Sequence, residues 1–203
     1  MWPKNEKKMR NKQIKDMVFA ASLMAMIVLF SLLYFFQVVG FAAFTIAHIP
    51  VLIGAVILGP KYGTALGAVF GITSMIIAIF SLGPNAPFTN PLLSVLPRVI
   101  FGWAIYYIYM FIDRVVKNRY ASVAITFAVS TLFHTLLVLP ILYVVANTGF
   151  YFTASENPMS DLGGLLAFII TVLGANGVIE IIVAVLAGTP IVLVMDKLIK
   201  VEE

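Results

Sequence analysis

Residues 46–81 read IAHIPVLIGAVILGPKYGTALGAVFGITSMIIAIFS. Two apolar runs are divided by GPKYG, and Lys61 is the one Asp, Glu, Lys or Arg in the whole stretch. A helix pair on the surface of a water-soluble protein would carry a charged face. This pair has none, so it reads as helix–break–helix in lipid. The second run, Tyr62–Ser81, has about the 20 residues that cross a bilayer. The first, Ile46–Leu58, is too short for that, so it is expected to be tilted, buried among its neighbours, or extended upstream into FAAFT.

The rest of the chain has the same character. It is 62% apolar and 11% charged, against roughly a quarter charged in a soluble domain. Further apolar runs occupy Met17–Val39, Leu92–Ile112, Ala121–Ala146 and Leu165–Met195. The expected fold is therefore all-α: an integral membrane bundle of six transmembrane helices. The run from Met17 is too long for the core of a cleaved signal peptide, which is about 7–15 residues. It reads as a retained first span behind the basic segment MWPKNEKKMRNKQIKD. The organisation expected is a basic N-terminal segment (1–16), a six-helix membrane domain (17–195) and a short tail (196–203).

Orientation follows from Lys and Arg. Six precede the first span, Lys61 lies between the second and third, Arg114, Lys117 and Arg119 lie between the fourth and fifth, and Lys197 and Lys200 follow the sixth. Placing these twelve in the cytoplasm satisfies the positive-inside rule. Both termini are then cytoplasmic, and connections 40–45, 82–91 and 147–163, which contain no Lys or Arg, face outside. The two later outer connections are long, and long loops of this kind often act as lids.

The remaining basic residue is Arg98, in FTNPLLSVLPR, where the fourth span begins. Ionisable groups inside a membrane are costly and mark candidate functional sites. The others are His134 in the fifth span and Glu180 in the sixth, with Asn176 one turn before Glu180 on the same face. Each has a plainer reading. Arg98 can snorkel to headgroups, His134 can be a neutral interior residue, and Glu180 can be a structural or protonated partner. The depths expected for Arg98 and Glu180 differ, so a direct pair is not expected. An arginine left to face a cavity invites an anion from outside. Pro97 lacks an amide proton, so NPLLSVLP reads as a bent lead-in that lines a pocket. Aromatic residues, among them Trp103, Tyr106 and Tyr107 after Arg98 and Phe44 in an outer connection, serve either as an interfacial belt or as the walls of a small-molecule site.

Small residues recur four apart: Ala21 and Ala25 in the first span, Gly63, Gly67 and Gly71 in the third, Ala184 and Gly188 in the sixth. This spacing lets helix backbones approach in lipid. The glycines read as packing inside the bundle. The alanines suit either internal packing or an external partner.

The chain has no cysteine, which excludes disulfides and thiol chemistry. It contains no G-x-x-x-x-G-K-[ST], no H-E-x-x-H and no G-x-S-x-G, so neither ATP binding through that loop nor a hydrolase signature is present. No catalytic residues, metal ligands or cofactor are assigned. The basic N-terminus is explained by topology and anionic lipid, without nucleic acid.

The runs HIPVLIGAVILGPKYGTALGAVFGITS (48–74) and NPLLSVLPRVIFG (90–102) resemble the substrate-binding S components of energy-coupling factor (ECF) vitamin transporters. The resemblance extends over residues 20–193, and its Asn-Pro…Pro-Arg run looks most like the pantothenate-type branch. It implies a subunit, not an enzyme, that binds a vitamin tightly from outside under loop lids. Such a subunit docks on a membrane T component coupled to two ATPases and topples to deliver its ligand. The resemblance places docking at Ala21 and Ala25. It implies that Arg98 meets the pantothenate carboxylate, that Asn90 and Asn176 serve its amide or hydroxyls, and that residues such as His134, Trp103, Tyr107 and Phe44 complete the site in a bacterial plasma membrane. Hydroxymethylpyrimidine and riboflavin are alternatives, though neither offers Arg98 a carboxylate. From the residues alone, a stand-alone proton-coupled carrier using Glu180 and His134 is the competing class.

Overall fold

The computed structural model describes residues 4–36, 46–81, 87–148 and 177–201. These residues are helical, with no strand among them. Helix α1 is Lys4–Phe36, α2 Ile49–Leu58, α3 Pro60–Ser81, α4 Pro91–Ser94, α5 Leu96–Val116, α6 Arg119–Thr148, α7 Val178–Val183 and α8 Thr189–Val201. A 3₁₀ turn, Ile46–His48, precedes α2, and a π-helical turn, Ala184–Gly188, joins α7 to α8.

Five stretches are long and apolar enough to cross a membrane: Met9–Leu33, Pro60–Phe80, Pro91–Val116, Arg119–Val145 and Val178–Lys197. The sixth expected element, Ile46–Leu58, is apolar but short. Residues 37–39 of the first expected span and 165–176 of the last lie outside the described residues. The basic run from Lys4 joins the apolar run in one continuous helix, because Lys, Glu, Arg and Gln are good helix formers.

The short helix sits at the centre. Every residue from Ile49 to Val56 is buried, as a helix that is hydrophobic all round requires. Around it lie Leu23 and Ile27 of α1, Leu66 and Phe70 of α3, Phe101 and Ile105 of α5, Val123 and Phe127 of α6, and Val192 of α8. Burial among its neighbours, one of the options open for this segment, is observed; FAAFT lies outside the described residues. GPKYG works as the break between α2 and α3. Gly59 adopts φ 90°, ψ −176°, a region essentially closed to residues with a Cβ, and Pro60 then opens α3 with a preset φ.

Packing of α3 on α5 is the most extensive contact between helices, and it is a glycine seam. A Cβ on Gly67 would stand 2.1 Å from the Arg98 carbonyl oxygen, and one on Gly63 2.3 Å from that of Gly102. A Cβ on Gly102 would meet the Gly63 carbonyl oxygen at 2.1 Å, and one on Gly71 would stand 2.7 Å from Val95 Cα. The helix backbones touch because nothing separates them. Gly188 plays a similar part in the π turn, where a Cβ would meet the Phe127 ring.

At the end where the basic residues cluster, Arg119 of α6 grips Asp196 of α8 with two nitrogens, at 2.6 and 2.9 Å. It also donates to the Tyr109 hydroxyl of α5. One planar guanidinium thus ties three helices together, a geometry suited to arginine rather than lysine.

Gly67→Leu is expected to destabilise the chain by about 1–3 kcal/mol or more, the cost of overpacking. The midpoint of thermal unfolding in detergent should fall, while Ile72→Leu, at an exposed position on α3, should leave it within error.

Candidate functional site

The candidate site grows from the break between α4 and α5. Asn90 precedes Pro91 and caps α4, its Oδ1 accepting from the Leu92 amide at 2.8 Å. The Ser94 hydroxyl donates back to the Phe88 carbonyl. After one turn the chain passes Val95 and restarts as α5, with Pro97 in its first turn. The bent lead-in expected from NPLLSVLP is therefore present. It rests on Gly71 of α3, the close approach noted above.

Arg98 is 6% exposed. Its Nη1 donates to the carbonyl oxygens of Ser94 at 2.7 Å and Leu93 at 3.3 Å. Its Cζ lies 4.8 Å from the centre of the Phe70 ring and 5.5 Å from that of Phe88, cation–π distances. No carboxylate reaches it among the described residues, and its Nε has no hydrogen-bond partner there. The snorkelling alternative does not fit a side chain this buried that turns back onto backbone carbonyls.

His134 of α6 also lies near Phe70. Its ring centre is 5.9 Å from that of Phe70 and 4.8 Å from that of Phe101. It stacks at 6.4 Å, nearly parallel, with His48 at the start of α2. His134 is buried and its Nε2 has no hydrogen-bond partner among the described residues. His48 Nε2 lies 3.5 Å from Thr131 Oγ1, and that hydroxyl donates to the Phe127 carbonyl at 2.8 Å. A hydroxyl has one proton. With it directed to Phe127, the Thr131 oxygen is left as an acceptor facing His48.

Thus α3, α5, α6 and the turns before α2 and α4 bring together a fixed cation with an N–H unused among the described residues, two imidazoles, and the rings of Phe70, Phe88 and Phe101. A buried polar atom without a partner calls for an explanation, and here two of them lie near the same phenyl ring. Such a cluster can receive a small anion with hydrogen-bonding groups beside an apolar body.

The other expected site residues divide. Asn90 is buried next to Arg98's helix break, but its Oδ1 is committed to capping. Trp103 and Tyr107 are 51% and 47% exposed and pack on each other, ring centres 4.7 Å apart. They lie on the outer face of α5, away from Arg98, because five and nine residues at 3.6 per turn carry the chain to the opposite side. Their placement suits the belt reading. Phe44 and Asn176 lie outside the described residues. Glu180 is half-buried on α7. Ala21 and Ala25 are exposed on α1, while Ala20, Leu23 and Ile27 turn inward. His48, Thr131, Phe70 and Phe101 were not singled out from the sequence. One signal was available for His48: it is one of just two histidines in the chain, and it immediately precedes a wholly apolar helix.

Two comparisons bear on this arrangement. The chain is 27% identical over 168 residues to the "Pantothenic acid transporter PanT" of Lactococcus lactis subsp. cremoris (strain MG1363), a match covering 75% of this chain and 78% of that protein. The profile of the family described as "ECF transporter, substrate-specific component" matches residues 15–192. The chain is therefore a multi-pass membrane protein that belongs to the ECF transporter substrate-specific component family.

Proposed function

We propose that this chain is the high-affinity vitamin-binding S component of an ECF-type importer, and that its ligand is pantothenate. The observation that carries the ligand assignment is Arg98, a buried guanidinium with no carboxylate in reach among the described residues and an unused Nε. Pantothenate is a carboxylate anion with an amide, two hydroxyls and a gem-dimethyl group. Its carboxylate supplies the missing counter-charge, in a setting where charge-assisted hydrogen bonds are strong. His134 Nε2 supplies a hydrogen-bonding site for the amide or a hydroxyl, and Phe70, Phe88 and Phe101 offer apolar surface for the methyl groups. The likeness to a pantothenic acid transporter supports the same choice. Hydroxymethylpyrimidine and riboflavin would leave the guanidinium without an anion.

In this reading both termini are cytoplasmic, the ligand enters from outside, and energy comes from partner subunits: a T component and two ATPases. Ala21 and Ala25 form the docking patch. Their side chains are small and exposed on α1, so a partner helix can approach the backbone closely.

Two experiments test the proposal. Calorimetry on the purified chain in detergent should show pantothenate binding weakened at least tenfold, by about 1.4 kcal/mol or more, in Arg98→Lys, which keeps the charge and loses the fork. The loss in Arg98→Ala should be larger. Unchanged affinity in both would remove Arg98 from the site. Separately, Ala21→Trp or Ala25→Trp should prevent assembly with the T component and abolish uptake, with vitamin affinity of the isolated chain intact. Assembly that survives both bulky residues would place docking elsewhere.

A further inference from the structure

Arg98 is tied to two backbone carbonyls at a helix break that contains a proline. In a continuous helix the amide of residue 97 would donate to the carbonyl of residue 93. Residue 97 is proline and has no amide proton, so the Leu93 carbonyl lacks that donor. Arg98 Nη1 fills the gap, donating to Leu93 at 3.3 Å and to Ser94 at 2.7 Å. In an apolar interior an unmet carbonyl is costly, so the guanidinium is drawn back toward the break and fixed there by one nitrogen. A guanidinium is planar and rigid. Fixing Nη1 therefore orients the rest of the fork, and Nε, on the other side of Cζ, has no hydrogen-bond partner among the described residues. The break cannot drift, because Gly71 holds it closely: a Cβ there would meet Ser94 O at 2.8 Å and Val95 Cα at 2.7 Å.

We infer that Pro97 is a positioning residue for ligand specificity: by withholding an amide proton from the Leu93 carbonyl it secures Arg98 Nη1 and presents the Nε edge of the guanidinium to an incoming carboxylate. This rests on the assignment of Arg98 to the anion site. It adds that selectivity for an acid over the matching neutral alcohol depends on residue 97, which touches no ligand itself. Substitution by alanine or serine restores an amide that satisfies Leu93 without the side chain, leaving the bond to Ser94 in place. The guanidinium then keeps its charge but loses an anchor.

The test is a pair of affinities for each protein. Pantothenate and the alcohol in which CH₂OH replaces its carboxylate are titrated into the wild-type chain, Pro97→Ala and Pro97→Ser. The wild type should prefer the acid. In both variants that preference should fall about three- to tenfold, the worth of one lost hydrogen bond, while binding of the alcohol stays the same. Thermal stability should hold or rise in the variants, because the helix gains an amide donor and loses a proline. A merely structural role for Pro97 would instead weaken acid and alcohol alike and lower stability. An unchanged acid preference in variants that bind pantothenate would overturn the positioning role and leave Arg98's assignment standing. A wild type that does not distinguish acid from alcohol would overturn the anion site, and the positioning role with it.

Discussion

A guanidinium inside a bundle of apolar helices must have its N–H groups met, or its burial costs several kcal/mol. Much of the local architecture can be traced to that requirement at Arg98. Two backbone carbonyls are made available by a break in the helix. Two phenyl rings lie against the cation. In the function proposed above, the remaining demand, an anion for the unused edge of the fork, is met by the ligand.

The glycine seam makes this possible. Gly67 lies against the carbonyl of Arg98 itself, and Gly71 against the break that holds its side chain. The contacts that let α3 and α5 approach also fix the height and rotation of the cation. Packing and the placement of the cation are thus one problem in this protein, and a methyl group added along the seam acts on both. The central helix α2 contributes from the other side. Its apolar body fills the core, and its first turn presents His48 to His134 and Thr131.

Much of this was legible in the sequence. The apolar runs marked the helices, GPKYG marked the break between α2 and α3, and the four-residue spacing of Gly63, Gly67 and Gly71 marked a close helix contact. Arg98 stood out because charge is so rare in these runs, and the two prolines around LLSVL pointed to a bend. What was less legible has physical causes. His48 and Thr131 lie 83 residues apart, and their meeting depends on how α2 is enclosed, which no local pattern encodes. Trp103 and Tyr107 were grouped with Arg98 by nearness along the chain, although helical periodicity already turns them to the other face. Asn90 was read as a ligand for the vitamin, and its place before a proline at a helix start equally suited the cap it forms.

The measurement that tests the central claim most directly is a titration of the purified chain, in detergent, with pantothenate, hydroxymethylpyrimidine and riboflavin. Tight, stoichiometric binding of pantothenate alone is the predicted result, since it is the one of the three that brings Arg98 a carboxylate. Tight binding of either neutral compound with none of pantothenate would contradict the account: the guanidinium would then be a fixture of the helix break and not the receptor for an anion.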